Sequence, residues 1–176
     1  MQFKFAILAA LVSAAMAETC LLQKLAGLTV VTASNTKTRW DVFTKQSGAI
    51  NAGDVGWFTD NQANQNEVFQ AQVAQSSNLF KFNRRGGQSI GVTGFEAGAR
   101  LTASQNIATF NVACSSCNDF ATGNELVGDN CSIELVNSNT GEGLNLCVVF
   151  TPDDVVEVQP CDNSNAAQNV VIFSTN

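Results

Sequence analysis

An all-β fold is what this sequence predicts, and three observations carry it. Apolar residues alternate with polar ones or cluster in short runs between turn residues. No segment sustains a helical period. The short runs fall into three groups of four, near 28–74, 78–113 and 132–173, a spacing of roughly 40 residues that asks to be tested as an internal repeat.

The first residues are read as a targeting signal. Lys4 supplies a positive start, residues 5–12 a short apolar core, and Ala15-Met16-Ala17 a small-x-small cleavage pattern. The expected mature chain starts at Glu18 and runs as one domain over 18–176, with no later run of apolar residues long enough for a membrane span. At this size a chain buries roughly 70% of its unfolded surface, so cysteines reinforce a core instead of replacing one.

Twelve strands are expected in order: 28–33, 38–44, 55–59 and 67–73; then 78–82, 88–93, 99–102 and 107–113; then 132–136, 144–150, 155–159 and 169–173. Within 67–73, Val68, Phe69, Ala71 and Val73 stand against Glu67, Gln70 and Gln72, with Phe69 read as the residue out of phase. The second group parallels the third: Phe80-Lys81-Phe82, Ile90-Gly91-Val92 and Arg100-Leu101 against Ile133-Glu134-Leu135, Leu146-Cys147-Val148 and Val156-Glu157. Three groups of four strands are what a β-trefoil needs; a β-sandwich is the alternative with the same spacing of turns. Residues 114–130 read as a long loop pinned by cystines.

Residues 144–173 carry a further signal. Leu146-Cys147, then Val156-Glu157-Val158-Gln159-Pro160-Cys161, then Gln168-Asn169-Val170 resemble one repeat of the ricin-B-type β-trefoil lectins, with its L-C, V-x-V-x-x-C and Q-x-W elements. The resemblance implies a β-trefoil and an extracellular glycan as ligand. Two positions depart from it. Where galactose-binding repeats carry an Asp two residues after the first cysteine, this chain has Val149, which removes a hydroxyl acceptor. The Q-x-W tryptophan is Val170, one apolar core residue for another.

Composition excludes whole classes of chemistry. The chain has no histidine and no tyrosine, so neither a Ser-His-Asp nor a Cys-His nucleophilic site can be built, and imidazole-dependent metal centres fall with them. Residues 101–176 hold nine acids and no base, which argues against nucleic acid and anionic membrane as partners. No cofactor and no metal site are expected.

Six cysteines in a secreted chain default to disulfides. Cys147 and Cys161 sit at the ends of facing strands, and a bond between them closes a loop worth about 3 kcal/mol. Cys20 and Cys131 are rival partners, and pairing among Cys20, Cys114, Cys117 and Cys131 stays open. Cys114-x-x-Cys117 lacks the strand–helix context of a redox motif.

For a ligand, Trp40, Trp57 and Phe58 are candidate stacking faces, with Asp54, Asp60, Asn61 and Gln62 as hydroxyl partners; core packing is the competing role for the tryptophans. In the third group the polar candidates are Asp162, Asn163 and Gln168. Asp153-Asp154 after Pro152 reads as a solvated turn. Arg84-Arg85-Gly86-Gly87 reads as a hairpin tip. Asn130-Cys131-Ser132 is a formal N-glycosylation sequon. The expected function is a secreted, non-enzymatic binding module for an extracellular glycan. The alternatives are a protein-binding inhibitor or effector, using loops such as 45–54, 83–88 and 114–130, and a glycosidase working through carboxylates alone.

Overall fold

The computed structural model describes residues 18–59, 67–76, 78–104 and 107–175; the leader expected at 1–17 lies outside them. Among the described residues the chain forms thirteen strands joined in one sheet. The first four are β1 (Gly27–Thr32), β2 (Asn35–Val42), β3 (Val55–Thr59) and β4 (Phe69–Val73). Next come β5 (Leu79–Arg84), β6 (Ser89–Val92), β7 (Leu101–Ser104) and β8 (Thr109–Ala113), followed by the two-residue β9 (Ser116–Cys117). The last are β10 (Leu126–Val136), β11 (Gly143–Phe150), β12 (Val156–Pro160) and β13 (Val170–Thr175). No helix of the described residues is long and apolar enough to cross a membrane.

Each expected strand has a counterpart. What the reading of 114–130 as loop missed is β9 and the first half of β10, where Gly128↔Cys117 and Asp129↔Ser116 pair. That segment has no alternating apolar pattern because two bulges break its register against β13. The phase of 67–73 is also corrected. Phe69 and Ala71 point inward and Gln70 and Gln72 outward, so Val68, half-buried, is the residue out of step.

Antiparallel pairing closes a ring in the order β13–β1–β4–β5–β8–β10–β13. Closure removes every sheet edge from the ring, which two separate sandwich sheets would not do. The remaining long strands form three hairpins, β2–β3, β6–β7 and β11–β12. Three bridges link them in a triangle: Asp54↔Thr102, Arg100↔Glu157 and Gly56↔Val155. Those bridges make Gly56, Thr102 and Glu157 equivalent, and likewise Asp54, Arg100 and Val155. A six-stranded barrel with three hairpins about a pseudo-threefold axis is a β-trefoil.

One core fills barrel and hairpins. Phe69, Phe80, Phe82 and Phe110 are fully buried with Leu28, Ile90, Leu101, Ile133, Leu135 and Ile172, each worth about 1.5–3 kcal/mol of apolar burial. Trp40 joins the two layers, meeting Phe69, Phe82 and Trp57 edge-on at 5.9, 6.1 and 6.3 Å.

Three disulfides staple this frame. Cys147 pairs with Cys161 across β11 and β12. Cys20 pairs with Cys117, and Cys114 with Cys131, so the two cysteines of the C-x-x-C are bonded to different partners. The sulfurs of Cys20, Cys114 and Cys117 all lie within 4.8 Å of one another. Gly128 lies against them: a Cβ there would stand 2.8 Å from the sulfurs of both Cys114 and Cys131. The N-terminal segment is clipped to the same place by reciprocal backbone bonds between Glu18 and Cys114.

Candidate functional site

Strand alternation sorts the first hairpin into two faces. Trp40↔Trp57 and Val42↔Val55 face the core, while Arg39, Asp41 and Phe58 share the opposite face. Gly56 stands opposite Asp41 on that face. A Cβ on Gly56 would lie 2.7 Å from the Phe43 ring, 2.9 Å from Ile50 Cδ1 and 2.9 Å from the Asp154 carbonyl, so those three groups converge over it. Phe43 in turn holds Phe58 edge-on, centroids 6.2 Å apart. Phe58 keeps 44% of its surface in water, and Phe43 is half-buried. An aromatic face is thus presented to solvent on a rigid hairpin.

Two of the expected stacking residues lie elsewhere. Trp40 and Trp57 are buried, Trp57 to 3% exposure, with Phe150 edge-on at 5.0 Å. Neither indole N–H has a hydrogen-bond partner among the described residues. Both rings serve packing, because the inward parity of their strands outranks the polar end of an indole. Of the expected hydroxyl partners, Asp60, Asn61 and Gln62 lie outside the described residues. Asp54 is buried and committed: its Oδ2 accepts from Asn51 N at 3.0 Å, Asn51 Nδ2 at 3.3 Å and Arg100 Nη1 at 3.0 Å. Arg100 Nη1 also donates to the Ala49 carbonyl at 2.8 Å, which ties loop 43–54 to the second hairpin.

Asp41 is a candidate residue that the sequence reading missed. By the pseudo-threefold equivalence of Gly56, Thr102 and Glu157, their cross-strand partners Asp41, Gly91 and Val149 occupy one position in the three hairpins. The acid absent at Val149 is present in the first hairpin. No cysteine marks that hairpin, so only strand register reveals the match. Asp41 is 6% exposed. Burial pushes its carboxyl up to about 6, against the pull of the Arg84 charge.

In the third repeat, Asp162 and Asn163 sit on an exposed turn beside the Cys147–Cys161 bond. The Asp162 carboxylate accepts from Ser164 Oγ at 2.6 Å and Ser164 N at 2.9 Å, which holds it below the usual carboxylate range. Asn163 makes no hydrogen bond to the described residues. Gln168, expected as a ligand contact, is buried and has both ends of its amide occupied. Its Oε1 accepts from Asp162 N and its Nε2 donates to the Pro160 carbonyl, each at 2.8 Å. It braces the turn instead of facing solvent.

Two more apolar groups stand out on the surface. Phe120, on the cystine-pinned 114–130 segment, is 88% exposed, and Phe95, in the second hairpin, is 65% exposed.

No family model matches this sequence, and no curated protein matches it. Solved structures do. A ricin B-like lectin of Macrolepiota procera, solved in complex with lactose, superposes with a TM-score of 0.58 at 14% identity, covering 85% of this chain and 95% of that one. A mosquitocidal holotoxin superposes with a TM-score of 0.56 at 11% identity, covering 87% of this chain and 18% of the toxin. The likeness is one of fold.

Proposed function

We propose that this chain is a secreted, non-enzymatic module that binds a neutral saccharide on the outer face of its first hairpin. The observation that carries the reading is the half-exposed Phe58, braced by Phe43, on a fold shared with a lectin solved with lactose. A pyranose lays its C–H face on such a ring, and a few fixed polar groups then set its orientation. Asp41 supplies a charged acceptor on the same face, and charge-assisted bonds to hydroxyls are the strong ones. Asp60 and Asn61, which follow β3 in the chain, complete the hydroxyl partners. The Asp162–Asn163 turn, held by Gln168, forms a second and weaker contact in the third repeat. Export is supported by the leader pattern and by three cystines, which persist in oxidising surroundings.

The test is a glycan array followed by titration of the best hit. Phe58→Ala is expected to weaken binding about tenfold, the roughly 1.4 kcal/mol of an aromatic stacking contact. Asn163→Ala is expected to weaken it less, and no glycan is hydrolysed. A silent array, or affinity untouched by Phe58→Ala and Asp41→Asn alike, overturns the reading. A second reading has its own observation, the Phe120 side chain held in water on a disulfide-anchored segment. It makes the chain an inhibitor or effector of a secreted protein, and stoichiometric inhibition across a protease panel, lost in Phe120→Ala, would favour it.

A further inference from the structure

The Asn130-Cys131-Ser132 sequon lies in β10 at a place the fold treats unusually. Gly128 pairs with Ile172 and Cys131 with Val170, so Asp129 and Asn130 together stand opposite the single residue Val171. This is a bulge, and it turns Asn130 out of the ladder at φ +46°, a conformation asparagine tolerates. Its side chain is exposed and its side-chain amide makes no hydrogen bond to the described residues; its backbone N–H donates to Asp129 Oδ1 at 2.9 Å.

The other two residues of the sequon are held quite differently. Cys131 is fully buried and bonded to Cys114. Ser132 pairs with Ala113 in the β8–β10 ladder, and its hydroxyl points to the Ala113 carbonyl at 3.5 Å. The folded surface therefore has room for a substituent on Asn130 Nδ2 but does not offer the whole tripeptide as a free segment.

We propose that Asn130 is an N-glycan acceptor, and that closure of the Cys114–Cys131 bond limits its occupancy. The donor is a polyprenyl-pyrophosphate-linked oligosaccharide. The amide nitrogen bonds to the sugar C1, the C1–O bond to the pyrophosphate breaks, the pyrophosphate leaves with the bonding pair, and the amide proton passes to the transferase. The enzyme must grip Asn130 and Ser132 at once. It therefore acts while Ser132 is out of the ladder and Cys131 is still a thiol. The finished fold then accommodates the glycan, because the bulge already points Asn130 to water. The inference rests on the secretory reading above.

The experiment expresses the full chain in a eukaryotic secretory host and compares intact mass before and after peptide N-glycosidase, in medium and in cells. Wild type is expected to show a glycosidase-sensitive mass that disappears in Asn130→Gln and in Ser132→Ala. The double variant Cys114→Ser/Cys131→Ser keeps a valid sequon and is expected to carry the glycan on a larger fraction of molecules. Secreted wild type and double variant that both lack a glycosidase-sensitive mass overturn the acceptor. Equal occupancy in the two overturns the control by the disulfide. Protein left in the cytosol with residues 1–17 intact overturns the secretory reading instead, and is told apart by its location and its N-terminus.

Discussion

Trp57 and Phe58 are neighbours in sequence and opposites in role, and replacing each by alanine separates the core from the binding face. Trp57 is 3% exposed, packed edge-on against Trp40 at 6.3 Å and Phe150 at 5.0 Å. Truncating a buried Trp leaves a cavity and costs about 3–5 kcal/mol. That is a large share of a total stability of about 5–15 kcal/mol. Phe58 buries only a little over half of its surface. Its truncation forfeits about 1–1.5 kcal/mol, half of what full burial of a Phe contributes. Urea unfolding reads both, as a fall in midpoint at constant slope. Titration with the array-selected glycan reads the other half of the argument. Phe58→Ala loses affinity with the fold nearly intact, and Trp57→Ala loses stability first. If Phe58→Ala destabilises as much as Trp57→Ala, or if Trp57→Ala unfolds at the wild-type urea concentration, the assignment of faces is refuted.

Three other outcomes follow from the same structure. Asp41 has its folded pKa raised to about 6 from an ordinary 3.8, so the folded state binds this proton more tightly than the unfolded chain does. Its stabilising effect is full below pH 3.8 and lost as the pH rises through about 6. Melting temperatures across that range should fall more for wild type than for Asp41→Asn, whose curve is flatter. Removing Cys147–Cys161, 14 residues apart, should cost about 3 kcal/mol, and removing Cys20–Cys117, 97 apart, about 4.7 kcal/mol, by loop entropy in urea titrations. Gly128→Ala drives a methyl to 2.8 Å from two cystine sulfurs. It should destabilise by about 1–3 kcal/mol and leave more titratable free thiol after oxidative refolding.

Most of the strand content was legible because half-buried strands advertise themselves by alternation, as in 156–159, and buried ones by a continuous apolar run, as in 146–149. The segment at 126–131 was not, because a bulged strand abandons the period that identifies it. The site was less legible still. Parity along β3 shows that Trp57 and Phe58 face opposite ways, but not which of them faces in; Trp40 and Phe150, distant in sequence, decide that. Asp41 was overlooked because its hairpin lacks the cysteines that mark the third repeat. Gln168 was misread because an amide in a polar loop looks like a ligand contact until both its ends are found bonded to the backbone.

The chain's own residues determine an all-β fold, its three-group periodicity and the exclusion of imidazole chemistry. These are local or compositional properties, readable from neighbours in sequence. Closure of the barrel, the equivalence of Asp41, Gly91 and Val149, and the gathering of Cys20, Cys114 and Cys131 around Gly128 belong to the tertiary structure alone. They depend on registers and contacts between residues far apart in the chain, as far as Gly27 and Thr175. The same distinction moves attention from the third repeat, whose cysteines mark it in sequence, to the first, where an acid and an exposed aromatic ring share one face.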